Sequence, residues 1–327
     1  MSIPQSIGIL TSGGDAPGMN AAVRAAVRTA LYYGMKVHGV RRGYQGLIEG
    51  DVFEMQTTDV SNIIGRGGTV LKTARSKDFQ TEAGMQKAYD TAQRHGIEAL
   101  VIIGGNGTFR GALAFEKAHG IPAIGLPGTI DRDLAGTDAT IGFDTAVNTA
   151  VEAIDRLRDT ADAHDRLFVV EVMGRDAGYI ALDAGIACGA EDILIPETKT
   201  DPEAVLHRIA HDERRKKTVH ILVVAEGDDV TGGSAGLVSS IKERFRSLDV
   251  RHTVLGHIQR GGSPTCTDRV LASRLGHAAV EALKDGRRGE MVGLVHDAIA
   301  YTRFEEAVKV SAGLPEDLLQ MIRVLST

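Results

Sequence analysis

The feature that most constrains this chain is a recurring order: a short, almost wholly apolar run, a glycine-bearing turn, then residues at helical spacing. Ile7-Gly8-Ile9-Leu10 breaks at Gly13-Gly14, and Val23, Ala26, Val27, Ala30 and Leu31 then share one helical face, with Gly34 as the stop. Pro17 suits the first turn of that helix, and Asp15 is its candidate cap. Further apolar runs stand at Val37–Val40, Leu100–Ile103, Ile121–Leu126, Leu167–Val172, Ile193–Ile195 and Ile221–Val224. Helical patterns cover about 108–119, 143–163, 202–212, 233–247 and 267–285. Strands that are apolar at every position have no face for water. They predict an α/β fold with largely parallel sheets covered by helices on both sides.

Composition narrows the function. With 327 residues and a net charge of −6, the chain has ample core and lacks the basic surplus of a nucleic-acid binder. Six Tyr, eight Phe and no Trp disfavour base-stacking platforms. Cys188 and Cys266 make neither a disulfide framework nor a metal knuckle, and read as two packed thiols. The run Ala99–Ile103 is too short to cross a bilayer, and the N-terminus has no signal-type stretch. These features predict a cytoplasmic protein without membrane or nucleic-acid partners.

Ligands of parallel sheets bind beyond the strand carboxyl ends. Glycine stands with charged or polar residues at such places in segments 11–20, 104–108, 128–133, 173–176 and 226–228, which points to a shared cleft. Segment 11–20, TSGGDAPGMN, is a strand-to-helix turn that could cradle phosphate through backbone amides, or be a tight turn only. It lacks the Lys-Ser/Thr ending of a P-loop. Gly104-Gly105-Asn106-Gly107-Thr108 repeats the arrangement without dinucleotide-fold spacing, and alone does not separate sugar-phosphate, NAD and lipid kinases. In Pro127–Asp133, PGTIDRD, two carboxylates flank a cation. Phosphoryl transfer to an alcohol needs one carboxylate for the hydroxyl proton and often another near Mg²⁺, whereas an isolated D-x-D would be a surface turn. Segment 251–264, RHTVLGHIQRGGSP, has no helical period and reads as a glycine-bearing loop whose Arg and His suit a phosphomonoester.

In combination and order, TSGGDAPGMNAA, GGNGT, PGTIDRD, EAIDRLRDTA, VEVMGRDAG and RHTVLGHIQRGGSP resemble the bacterial ATP-dependent phosphofructokinases over about residues 7–280. The resemblance implies two Rossmann-like three-layer domains with the active site in the cleft between them. An ATP-binding domain would comprise 1–141 plus about 259–305, and a fructose 6-phosphate-binding domain 142–258 plus about 306–327. It implies γ-phosphoryl transfer from MgATP to the 1-hydroxyl of fructose 6-phosphate, a step of glycolysis. Asp131 matches the catalytic base; Thr129 and Arg175 match side chains that meet the transferring phosphoryl. Asp133, Met173, Gly174 and Glu226 match sugar-side positions, and Arg166, Arg251, His257 and Arg260 match the sugar-phosphate clamp. Gly14, Tyr44, Arg75, Ser76, Gly105, Asn106, Gly107 and Thr108 match the ATP side. Gly107 and Gly128 resemble the ATP-using rather than the pyrophosphate-using branch. Arg166 and Arg251 cross a subunit interface in the family, which implies a homotetramer. Arg24, Arg28, Arg158, Glu191 and Lys217 match an effector site for ADP or phosphoenolpyruvate; without the family, Arg24 and Arg28 would read as a solvated helix face.

Three positions depart from the family pattern. Asn106 stands where an Asp usually helps hold Mg²⁺, Arg132 where Asn is usual, and Ser76 where an apolar residue is common. The first two weaken attraction for a cation beside Asp131. They leave open an enzyme with a retuned metal site, a chain altered by engineering, or a catalytically weak sugar-phosphate-binding paralogue that regulates an active partner subunit. Retention of Asp131 and of every clamp position favours catalysis.

Overall fold

A computed structural model describes residues 3–163, 166–198, 201–214, 220–229, 232–309, 314 and 316–325. The chain divides into two compact units: Met1–Thr145 with Arg260–Ser311, and Ala146–Gln259 with Ala312–Thr327.

In chain order, the first unit holds β1 (Ser6–Thr11), α1 (Met19–Tyr32), β2 (Lys36–Val40), α2 (Gly43–Glu49), β3 (Val52–Glu54), α3 (Glu82–Arg94), β4 (Ala99–Gly104), α4 (Asn106–His119) and β5 (Ala123–Pro127). Helix α5 (Phe143–Asp162) starts there and continues in the second unit. The second unit adds β6 (Arg166–Val172), α6 (Tyr179–Ala187), β7 (Asp192–Leu194), α7 (Pro202–Arg214), β8 (His220–Ala225), α8 (Gly233–Arg244) and β9 (Asp249–Val254). The chain then returns to the first unit with α9 (Cys266–Lys284), β10 (Glu290–Val295), β11 (Ala298–Arg303) and α10 (Phe304–Ala307), and ends with α11 (Glu316–Leu325).

Among the described residues, the first unit's sheet runs β11-β10-β5-β4-β1-β2-β3. Its interior is parallel, with Ile9 aligned to Val101 and Val101 to Ile124. The margins are antiparallel, β3 on β2 and β11 on β10. Every residue of β1, β4 and β5 is buried, as strands covered on both faces must be. Leu10, Leu100 and Ile102 pack with Phe109, Phe115 and Phe304 on one side. Ile7, Ile9 and Val101 are equally buried, each such side chain contributing about 1.5–3 kcal/mol. The second unit's sheet, β7-β8-β6-β9, is parallel throughout. Its core joins Leu167, Val169, Leu222 and Val224 to Val205, Leu237 and Ile241. No described helix is long and apolar enough to cross a membrane.

Several expectations shift. Asp15 does not cap α1: the cap position is Gly18, with no side-chain cap bond, and Pro17 lies outside the helix. Gly34 does close α1, in left-handed conformation with its N–H donating to Leu31 O. Segment 251–264 is not loop throughout, since β9 runs to Val254 and a 3₁₀ helix spans Gly256–Arg260. The compact units divide after Thr145, Gln259 and Ser311, whereas the boundaries expected between ATP-binding and sugar-phosphate-binding domains are 141, 258 and about 305. The first difference has a physical cause, because Gly142 and Thr145 are bonded to Asp268 on α9.

Candidate active site

In the first unit three turns follow adjacent parallel strands and are stitched to one another. Ser12 N–H donates to Ile103 O at 3.0 Å, Thr108 Oγ1 to Ser12 O at 3.1 Å, and Gly128 N–H to Gly104 O at 3.0 Å. A Cβ on Gly104 would lie 2.5 Å from Ser12 O, so this close approach requires glycine. Gly107 has open space where its side chain would be, and Gly105 lies beside Thr129. The turns therefore present backbone at one rim, at the start of the 14-residue helix α4.

Thr129 and Asp131 stand on the turn after β5, 8% and 7% exposed, and Asp131 N–H donates to Thr129 Oγ1 at 3.1 Å. Asn106 Nδ2 donates to Asp133 Oδ2 at 2.7 Å and to Asp133 O at 3.3 Å. Asn106 Oδ1 is buried and has no hydrogen-bond partner among the described residues. Arg132 is left-handed, φ 54°, with its guanidinium carbon 5.2 Å from the centre of the Phe143 ring.

Arg260 Nη1 donates to Asp15 O at 3.1 Å, and a Cβ on Gly14 would meet that guanidinium at 2.7 Å. Tyr44 sits in the core, stacked on Phe79 with ring centres 4.0 Å apart, and touches the α4 turn through its hydroxyl on Thr108 O at 2.7 Å. Burial pushes its phenol far above the ordinary range. Ser76 Oγ donates to Gln45 Oε1 and accepts from Phe79 N–H, while Arg75 is exposed.

In the second unit, Met173, Gly174, Arg175 and Glu226 gather beyond the ends of β6 and β8. Glu226 Oε1 accepts from Arg175 N–H at 2.7 Å and from Gly174 N–H at 3.3 Å. Those bonds hold Arg175 left-handed, φ 57°. Gln259, fully buried, accepts from Met173 N–H at 2.9 Å, and its Nε2 is unpartnered among the described residues. Sequence reasoning assigned Gln259 no role, because its partner is a backbone amide 86 residues away. His257 is exposed on the 3₁₀ helix.

Arg166 and Arg251 do not join this group. Arg166 begins β6, opposite Asp249, and Arg251 lies opposite Phe168. Met173 follows the far end of β6, about 15–25 Å along the strand at ~3.3 Å per residue. Both arginines instead share Asp249 Oδ2, Arg166 Nε at 2.8 Å and Arg251 Nη2 at 3.0 Å. The Arg166 hydrogen bond, then that from Arg251, holds the Asp249 carboxyl below its usual range.

A family model described as Phosphofructokinase matches residues 6–283. The chain belongs to the phosphofructokinase family. It is 58% identical over 320 residues to a protein of Thermus thermophilus named ATP-dependent 6-phosphofructokinase 1, covering 98% of this chain and 99% of that one. It is 52% identical over 326 residues to ATP-dependent 6-phosphofructokinase 2 of Bacteroides thetaiotaomicron, covering both chains fully. A solved phosphofructokinase from Saccharomyces cerevisiae superposes with a TM-score of 0.87 at 35% identity, over 98% of this chain and 47% of that one. The chain thus spans about half the length of the yeast chain.

The family resemblance implies an effector site at Arg24, Arg28, Arg158, Glu191 and Lys217. Arg158 and Glu191 are neighbours, with Arg158 Nη1 4.0 Å from Glu191 Oε1 and Nη2 donating to Cys188 O and Gly189 O at 2.7 and 3.0 Å. Arg24 and Arg28 lie on α1 in the first unit. Lys217 lies outside the described residues.

Proposed function

We propose that this phosphofructokinase transfers the γ-phosphoryl of ATP to the 1-hydroxyl of fructose 6-phosphate, giving fructose 1,6-bisphosphate and ADP. The observation that carries the proposal is the stitched trio of turns after β1, β4 and β5. It sets a buried carboxylate, Asp131, beside glycine backbone and the Thr129 hydroxyl. Asp131 takes the 1-hydroxyl proton as the sugar oxygen bonds to phosphorus, and the bridging oxygen leaves with ADP. Thr129 and Arg175 meet the charge of the transferring group, and the Gly105–Thr108 turn receives the nucleotide phosphates. Met173, Gly174 and Glu226 address the sugar, and Arg260 and His257 its phosphate.

The donor set suits Mg²⁺ carried in by the nucleotide. The orphaned Asn106 Oδ1 and the carboxylate of Asp133, to which the same amide donates through Nδ2, could each offer an oxygen. Among the described residues no cluster of three or more His, Cys, Asp or Glu could form an all-protein cage. Mg²⁺ ordinarily keeps waters and phosphates and takes one or two protein oxygens. Bound there, it would offset the negative charge of the β- and γ-phosphates.

Arg166 and Arg251 serve the sugar phosphate of a neighbouring copy in a homotetramer. Their separation along β6 and β9 from Met173 supports this, since neither side chain spans that length.

The test is ADP release by the pure chain, with fructose 6-phosphate omitted or added and Mg²⁺ titrated. The expected result is release that requires both. Tight sugar-phosphate binding without ADP release would replace this reading with the regulatory paralogue.

A further inference from the structure

We propose that Asp268, on α9, is a positioning residue for phosphoryl transfer, fixing the turn that carries Asp131 and Arg132 through the backbone of Gly142 and Thr145. The inference rests on the phosphofructokinase reaction proposed above.

Asp268 is 1% exposed, and its carboxylate makes three hydrogen bonds. Oδ1 accepts from Gly142 N–H at 2.8 Å; Oδ2 accepts from Thr145 N–H at 2.8 Å and from Thr145 Oγ1 at 2.5 Å. Two of these donors are amides at the start of α5, which have no partner within that helix. Burial pushes the Asp268 carboxyl up, and the Thr145 hydroxyl and the two amides oppose that shift. Asp268 is itself held by its own N–H, which donates to Thr265 Oγ1 at the cap of α9.

What Asp268 holds leads directly to the reacting turn. Ile141 N–H donates to Pro127 O at 2.8 Å, and Ile141 bridges Gly128 in parallel fashion. Gly128 opens the turn on which Thr129 and Asp131 stand. Phe143, between the two anchored amides, supports the Arg132 guanidinium. The segment has no slack on its other side: a Cβ on Gly142 would lie 2.7 Å from Ala16 Cβ, and one on Gly18 would lie 2.8 Å from Ile141 Cγ2. A rigid support of this kind serves a site in which a misplacement of ~1 Å costs about 100-fold in rate.

Asparagine can accept at one oxygen only and turns an N–H₂ toward a donor, so Asp268→Asn frees one arm of the clamp. Thr145→Val keeps both amide bonds to Asp268 and loses the hydroxyl, together with the bond that hydroxyl accepts from Thr265 N–H at 3.1 Å. Ile97→Val, in the core away from this segment, reports simple loss of stability. Steady-state kinetics and amide hydrogen exchange are measured on the full chain for the parent and all three variants. Asp268→Asn is expected to lower kcat roughly 10- to 100-fold. The Michaelis constants for ATP and fructose 6-phosphate should stay within about threefold, since ground-state binding is untouched. Amide exchange at 128–133 should quicken while β1 stays protected. Thr145→Val should show the same pattern in smaller measure, and Ile97→Val neither change. If Asp268→Asn does not fold, Thr145→Val decides by the same two readouts. Unchanged kcat and unchanged exchange at 128–133, whatever the melting temperature, would reduce Asp268 to a structural cap. A parent without sugar-dependent ADP release would defeat the functional reading; exchange at 128–133 would then decide the clamp alone, quickened in its favour and unchanged against it.

Discussion

Arg132 occupies a left-handed backbone position, φ 54°, that costs a non-glycine residue about 1–3 kcal/mol and that Asn tolerates better than most. Asn, which the family resemblance leads one to expect at this position, would sit in that region with less strain. The guanidinium over Phe143 returns about 0.5–1 kcal/mol, so Arg132 is partly compensated and drawn toward that ring. Asn106 is the sharper departure. Its Nδ2 donates to the Asp133 carboxylate, so Asn106→Asp would set two carboxylates against each other. At ~4 Å that repulsion is about 1–4 kcal/mol for effective dielectrics of roughly 80 down to 20. A divalent cation between them reverses its sign. Asn106→Asp should therefore melt below the parent with metal-free ATP and regain or exceed the parent's melting temperature with MgATP, with a rise in apparent Mg²⁺ affinity. Equal melting shifts in the two media would remove residue 106 from the metal.

At the scale of elements, β2 carries a buried histidine with a clear consequence for pH. His38 is 7% exposed, and neither ring nitrogen has a hydrogen-bond partner among the described residues. Its ring stands 5.7 Å from that of His95 at the end of α3, with Glu54 opposite it on β3. Burial first, then His95 and Lys36, lowers its pKa, and Glu54 opposes. The folded chain therefore binds this proton less readily than the unfolded chain, whose histidine titrates at about 6.5. Above that pH the difference vanishes; below it stability falls. Thermal melts from pH 7.5 to 5.5 should decline, and His38→Leu should flatten the decline. A slope unchanged by His38→Leu would assign the acid sensitivity to other groups.

The elements also differ in how far they can be read from sequence. Strands β1, β4, β6 and β8 are legible because burial on both faces leaves continuous aliphatic runs. β9 is not, because Arg251 and His252 are exposed along it and interrupt the apolar pattern. The β10–β11 hairpin escapes for a different reason: the apolar run Met291–Val295 is short and buried only over Met291–Gly293, and β11 is mostly half-buried. In the site, Asp131, Thr129 and the glycine turns are legible because they fall where parallel strands end. Asp268 and Gln259 are not, since each acts on backbone amides far away in the chain, and no local residue pattern encodes such a bond.

For the whole molecule, Arg166 and Arg251, proposed to serve the sugar phosphate of a neighbouring copy, predict a site completed by two chains. Chains carrying Arg251→Ala have an intact Asp131, and chains carrying Asp131→Asn have an intact Arg251. Each alone should be nearly inactive at low fructose 6-phosphate. Mixed tetramers, verified by mass, should recover activity because some sites draw the sound residue from each chain. Failure to recover would confine both residues to one copy's site.

If Asp131 is the base in transfer to the sugar hydroxyl, Asp131→Asn separates turnover from sugar binding. General-base loss should lower kcat by about 10²–10⁴. Fructose 6-phosphate binding, read by calorimetry, should remain within about threefold of the parent, because the base acts in the transition state. A kcat equal to the parent's would contradict the account.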